Sequence, residues 1–278
     1  MLARRLPGLL PPPDPEEALE MATIAGVAAL GWIGGRPRRP FRAPHHTAST
    51  VALVGGGEPI RPGEVTLAHG GVLFLDELPE FRRDAVESLR VTLESGVAVV
   101  VRARERVAMP ARPLIVAAMN PCPCGHHGDP GRVCLCPPDR IARYRARVSG
   151  PLLDRFDMHV VVPRVRTSAL RAARSGESTA DVRTRVAAVR GRAAPRSLRE
   201  GVPVDGLGIE TAALNLLDQA VEKLGLSARG YVKVLKVART IADLGGRDAT
   251  GVADVAEALQ YRLLDRCTED RPRVAGAV

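Results

Sequence analysis

Two adjacent carboxylates, Asp76 and Glu77, follow directly on the apolar run Val72 to Leu75, within the stretch Gly70 to Phe81. An apolar run without alternation that ends in charged residues reads as a strand buried on both faces, as in a parallel sheet covered by helices. Its acids then stand at the carboxyl end of the strand, where ligands bind in open α/β sheets. Neighbouring residues of an extended chain point in different directions, so the pair suits two tasks. Asp76 can hold Mg²⁺ through water, and Glu77 can orient or deprotonate a water that attacks a nucleoside triphosphate. The alternative reading is a buried strand that leaves the core through acidic residues.

Asn120 ends a second apolar run, Pro113 to Asn120. An amide beside an acidic pair at strand ends can bond both a γ-phosphate and the attacking water; otherwise it is a turn-forming Asn before Pro121. Arg155, in Ser149 to Asp157, precedes a third apolar run, His159 to Val162, which predicts a strand. An arginine on such a loop can lie at a subunit boundary and reach a neighbour's γ-phosphate, or else pair locally with Asp154 or Asp157.

Cys122, Cys124, Cys134 and Cys136 form two close pairs, with His126 and His127 between them. Two such pairs can give four thiolates to tetrahedral zinc, although Cys-X-Cys is tighter than the usual Cys-X-X-Cys. Free thiols in a Gly/Pro-rich loop are the other possibility, and Cys267 stands alone. His45 and His46, in Arg42-Ala-Pro-His-His46, either bind a metal or phosphate or are polar loop residues.

The elements that would position these groups are legible from pattern. Met1 to Leu10 predicts an uncapped helix that looks cut from something longer, and Glu16 to Ala29 a second helix before a Gly/Pro/Arg-rich loop, Gly31 to Pro44. Phe41 to His69 combines β-prone pieces with Gly55-Gly-Gly57, which suggests a hairpin or flap inserted before the acidic strand. Asp84 to Glu94 places Val86, Leu89 and Leu93 on one helical face, and Gly96 stops it. Val97 to Val101 and Arg106 to Met109 flank a basic tip and predict a hairpin. Asp139 and Arg140 lead an arginine-rich helix over Pro138 to Val148. A domain boundary is placed near Pro163, after which the pattern is helical: Ala180 to Arg192, Gly208 to Leu224, Ala228 to Leu244 and Gly251 to Arg262. Ser227 and Thr250 are the expected N-caps of the last two, and Gly245-Gly246 a stop.

At 278 residues the chain has room for one large domain or two modest ones, and 45% apolar residues suffice for a core. No apolar run approaches the roughly 20 residues that span a bilayer, and no signal-type leader is visible, so the expectation is a cytoplasmic protein without a membrane partner. A net charge of +9 marks either a polyanion binder or a compositional bias, since lysine occurs only at Lys223, Lys233 and Lys236. Aromatics, at 3%, are too scarce for a base-stacking platform, so any nucleic acid would be met chiefly at phosphate.

Taken together, Phe41 to His46, Gly70 to Phe81, Ala117 to Gly125, Ser149 to Asp157 and Leu226 to Gly245 resemble the AAA+ ATPases, specifically the magnesium-chelatase-like group that includes the ComM/YifB proteins. The resemblance implies an α/β fold: a parallel P-loop-type sheet with helices on both faces and β-hairpin inserts, followed by a small all-α lid. The core would be residues 1–163, with inserts near 41–69 and 97–109 and a Cys-rich loop at 120–137; residues 164–278 would be linker and lid.

The resemblance also assigns roles. Asp76 and Glu77 match Walker B, Asn120 sensor 1, and Arg155 the arginine finger; Arg229, in Ser227-Ala-Arg-Gly-Tyr231, matches sensor 2. It implies ATP and Mg²⁺ as cofactors, a homohexameric ring whose hairpins face the pore, and DNA as the partner, in branch migration during recombination of incoming DNA. The phosphate loop Gly-X-X-X-X-Gly-Lys-Ser/Thr and a Lon-protease-like domain belong to the family pattern but do not occur in these 278 residues. The loop's place falls immediately before Met1, so the expectation is that the protein starts upstream. This stretch alone would be inactive, as β- and γ-phosphates would lack their cradle. The alternatives are a non-hydrolysing nucleic-acid-binding or partner module, and metal insertion into porphyrin.

Overall fold

The computed structural model describes residues 2–29, 38–102, 105–129, 131–165, 176–193, 204–262 and 264. The glycine-rich stretch 31–37, the hairpin tip at Ala103 and Arg104, most of the linker after Pro163, and Cys267 lie outside them. The chain divides into two compact units, Met1–Leu152 with Arg164–Arg183 and Leu153–Pro163 with Thr184–Val278.

The first unit is built on a parallel three-stranded sheet in the order β1-β4-β7: β1 Phe41–Arg42, β4 Val72–Leu75 and β7 Leu114–Ala117. Val72 pairs with both Phe41 and Leu114, and Leu75 with Ala117. The central strand is the apolar run that leads to the acids, and Val72, Leu73 and Leu75 are buried, as a strand covered on both faces requires. Gly71 lets β4 lie close to the chain before β1, since a Cβ there would sit 2.1 Å from the Pro40 carbonyl oxygen.

Helix α1, Pro15–Val27, starts where Asp14 caps it by accepting from the Glu17 N-H at 2.8 Å. The expected N-terminal helix is only a 3-10 turn, Ala3–Gly8, with no buried residue. A helix with no apolar face to bury has little to hold it.

The inserted segment is more structured than a flap. Ser49 caps a short helix α2, Thr50–Val54, in place of a β-piece; the hairpin shrinks to β2 Gly55–Gly56 and β3 Arg61–Pro62; and α3, Glu64–Leu67, follows. Leu53 and Val65 are fully buried, so the segment belongs to the core. Helix α4, Arg83–Ser95, ends at Gly96 with φ 68°, and Val86 and Leu89 face inward. Strands β5, Val97–Arg102, and β6, Glu105–Pro110, form the expected hairpin. Helix α5, Pro138–Arg145, follows the Cys-rich loop; α6, Gly150–Leu153, and α7, Thr179–Ala193, come next.

The second unit packs α8 Thr211–Leu224, α9 Ala228–Leu244 and α10 Val252–Gln260 around Leu217, Val234, Leu235, Ala238 and Val255. Ser227 caps α9 by accepting from the Gly230 N-H at 3.0 Å, as expected. Thr250 does not cap α10. Gly251 holds that position and Asp254 reaches back to its N-H at 2.9 Å, while Thr250 is buried against Arg239. The run His159 to Val162 is not a strand: Val160, Val161 and Val162 are 62%, 71% and 70% exposed. Its His159 N-H instead bonds the Tyr261 carbonyl at 2.7 Å, beyond the end of α10, and β-propensity without a strand to pair with forms no sheet.

Candidate functional site

The carboxyl end of β4 shows why the two acids are presented together. Ala118, just past β7, gives its N-H to the Leu75 carbonyl and takes the Leu78 N-H on its own carbonyl, both at 2.9 Å. Asp76 and Glu77 are thereby pushed out of the sheet as a two-residue protrusion, and both are exposed. The chain is not extended there, as the sequence suggested. Glu77 adopts left-handed φ 55°, ψ 46°, and its N-H turns back to Asp76 Oδ1 at 3.1 Å. A left-handed conformation at a non-glycine residue is uncommon and recurs at functional sites.

His46 reaches the same place from the loop after β1, with Nδ1 3.2 Å from Glu77 Oε2. The ring leans on His45, with centroids 4.1 Å apart, and meets Phe81 edge-on at 6.5 Å. The paired histidines are polar loop residues that join no metal-type cluster among the described residues, and His46 has Glu77 as its neighbour. Their signal in the sequence, Arg-Ala-Pro-His-His, was visible but gave no hint of its partner.

Asn120 lies two residues beyond the Ala118 bonds, so the strand order sets it beside the acids. Its backbone N-H faces the Tyr144 hydroxyl of α5, where it favours the phenolate. Burial pushes the Tyr144 phenol above its ordinary value, and the negative charges of Glu80 and Glu77 push the same way. Arg147 Nη1, beyond α5, pairs with Glu80 at 2.9 Å. The first unit thus gathers Asp76, Glu77, Asn120, His46 and Tyr144 at one end of its sheet; Tyr144 was not singled out from sequence, and His46 was singled out without its Glu77 neighbour. Two exposed carboxylates are the hard oxygen donors that Mg²⁺ takes, so this donor set fits that ion.

The Cys-rich loop leaves β7 next to Asn120. The ligand atoms of Cys122, Cys124, Cys134 and Cys136 all lie within 4.8 Å of one another, and none of the four is in a disulfide. Burial pushes the Cys122 thiol up, but hydrogen bonds from Cys124, the His127 amide and Cys134 outweigh it and bring it to about 6. Cys134 is pushed up to about 12: although the Cys136 amide favours its thiolate, burial and the neighbouring Cys124 and Cys122 oppose it. The group can hold one metal cation.

The two candidate guanidiniums belong to the second unit. Arg155 follows α6, and its neighbour Asp154 takes Ser227 Oγ at 3.3 Å and Arg262 at 3.6 Å, while Asp157 takes Lys233 at 3.3 Å. Ser227 is both the cap of α9 and the anchor of Asp154, so it ties the Arg155 loop to the first turn of α9, where Arg229 is exposed. Buried Arg239, also unassigned from sequence, bonds Asp243, Thr250 and the carbonyls of Arg247 and Asp248. It shapes the α9 to α10 turn and carries no site chemistry.

Two family models match the chain: magnesium chelatase, subunit ChlI, over residues 1–170, and the C-terminal part of subunit ChlI over residues 176–262. The chain is 43% identical over 274 residues to the uncharacterized protein YifB of Salmonella typhimurium, covering 96% of this chain and 54% of that one. It is 45% identical over 276 residues to the competence protein ComM of Haemophilus influenzae, covering 96% and 53%. It is 26% identical over 239 residues to the chloroplastic magnesium-chelatase subunit ChlI-2 of Arabidopsis thaliana, covering 79% and 49%. The chain thus spans about half the length of these relatives. Its parallel sheet and C-terminal helices are consistent with an AAA+ fold, and no helix among the described residues is long and apolar enough to cross a membrane.

Proposed function

The chain belongs to the magnesium chelatase subunit ChlI family, as a relative of the ComM and YifB proteins, and on that premise we propose that it is the nucleotide-hydrolysing part of a ring-forming ATPase that acts on DNA. The observation that carries this reading is the placement of Asp76, Glu77 and Asn120 at neighbouring strand ends, joined through Ala118. Its cofactors are ATP and Mg²⁺, with structural Zn²⁺ on the Cys-rich loop.

Asp76 would hold Mg²⁺, and that ion would supply neutralisation of developing charge. Glu77 takes the proton of the attacking water, and its exposed carboxylate beside His46 leaves room for that water. Asn120 offers an amide that orients the water and the γ-phosphate. Arg155 reaches into the site of the next subunit, where its charge stabilises the transition state, and Arg229 reads the γ-phosphate from the lid. The sequential tie between their loops through Ser227 and Asp154 supports coupled movement of the two.

The basic net charge and the β5–β6 hairpin support DNA as the substrate, met through phosphate. One relative is named a competence protein, which agrees with branch migration of incoming DNA. The test is ATP hydrolysis by the protein as its gene encodes it, with and without a four-way DNA junction. Junction-stimulated hydrolysis with strand migration is expected; hydrolysis indifferent to every DNA form removes DNA from the proposal.

A further inference from the structure

The Cys-rich loop begins two residues after Asn120 and ends at Cys136, next to the proline pair that opens α5. Its sulfurs already stand at the spacing of a metal centre. Cys122 lies 3.4 Å from Cys124 and 3.7 Å from Cys134, and Cys124 lies 3.6 Å from Cys134. Tetrahedral zinc, with Zn–S bonds of about 2.3 Å, separates its sulfurs by about 3.8 Å. Backbone donors face the same sulfurs, as they do around thiolates and not around ordinary core thiols. The His127 N-H bonds Cys122 Sγ at 3.3 Å, and the His126 and Cys136 amides face Cys124 and Cys134. With four protein donors, zinc would have no open position, so its role would be structural.

What such an ion would hold in place follows from the contacts on either side. Arg145 of α5 donates to the Pro121 carbonyl at 3.3 Å, and the Tyr144 hydroxyl of the same helix faces the Asn120 amide. The loop therefore joins the chain after β7 to a helix that meets that same chain again at Asn120 and Pro121. Closing a loop with a cross-link removes most of its freedom in the open state.

We propose that zinc bound by Cys122, Cys124, Cys134 and Cys136 is the staple that keeps α5 against the carboxyl end of β7, so that the position of Asn120 depends on the metal. This rests on zinc occupancy of the thiols and not on ATP hydrolysis.

The experiment has two independent readouts on the purified chain. Elemental analysis and thiol titration come first: one zinc per chain with the four thiols protected is expected. A few tenths of an equivalent or less with four titratable thiols, or iron in place of zinc, overturns the metal reading and the staple with it. Amide hydrogen exchange is then compared before and after zinc removal by a chelator under reducing conditions. Exchange at Asn120, Cys122 and α5 should quicken at least tenfold while α9 keeps its protection, and zinc added back should restore the slow rates. Zinc present in full but exchange unchanged at Asn120 and α5 overturns the staple while leaving the metal site. Equal loss of protection in α9 also overturns it, because the ion would then hold the whole chain and not this junction.

Discussion

His46 Nδ1 stands 3.2 Å from Glu77 Oε2, across the β1–β4 pair, and gives the Glu77 carboxylate a fixed neighbour at the mouth of the sheet. Glu77 emerges there in a left-handed turn, so backbone and side chain are both constrained. Glu77→Gln keeps the shape and removes the basic oxygen. In the protein as its gene encodes it, turnover should fall by about 10²–10⁴ while ATP stays bound. Steady-state hydrolysis with parallel nucleotide-retention measurements checks this, and undiminished turnover rejects Glu77 as the base.

The β5–β6 hairpin carries Arg102 and Arg106 near its exposed end. If it meets DNA at phosphate, Arg106→Ala should weaken binding alike for all sequences and reduce the slope of log affinity against log salt by about 1. Fluorescence anisotropy over a salt series measures that slope. An unaltered slope removes Arg106 from the contact.

The second unit depends on the buried pair Arg239–Asp243, 2.7 Å apart with side chains 1% and 4% exposed. Arg239→Met removes the cation and the donors of four hydrogen bonds, and should cost about 3–5 kcal/mol in urea denaturation. Arg239→Lys should recover little, because one ammonium cannot copy the guanidinium fork. A loss below about 1 kcal/mol for Met would show that the pair contributes little net stability.

Two glycines give opposite expectations. Gly71→Ala drives a methyl into the Pro40 carbonyl and should destabilise by about 1–3 kcal/mol or more. Gly26→Ala, exposed in α1 with nothing within 4 Å of the added carbon, should be neutral or raise stability by up to about 0.5–1 kcal/mol. Thermal unfolding of both variants checks the sign, and equal behaviour would mean that the close approach at Gly71 relaxes without cost.

Elements with strong local signals were legible in sequence. The α4 face of Val86 and Leu89 with its Gly96 stop, the β5–β6 hairpin and the Ser227 cap all rest on chemistry within a few residues. What escaped depends on distant partners. Phe41–Arg42 is too short to show a period and is a strand only because β4 lies beside it. The valines at 160–162 have the right composition but pair with no strand among the described residues, and Thr250 gives up its capping role because Arg239 claims it. In the site, adjacency in sequence revealed Asp76 with Glu77 and the four cysteines, whereas His46 and Tyr144 reach the strand end by tertiary packing.

The central claim is that one active site draws Glu77 from one subunit and Arg155 from the next. The most direct measurement mixes two variants of the protein as its gene encodes it, Glu77→Gln and Arg155→Ala, each expected to be nearly inactive alone. In a random equal mixture, about a quarter of the interfaces would combine an intact Glu77 with an intact Arg155 from the neighbour, so ATP hydrolysis should rise well above either variant. A mixture no more active than its components, in rings shown to exchange subunits, would contradict the account.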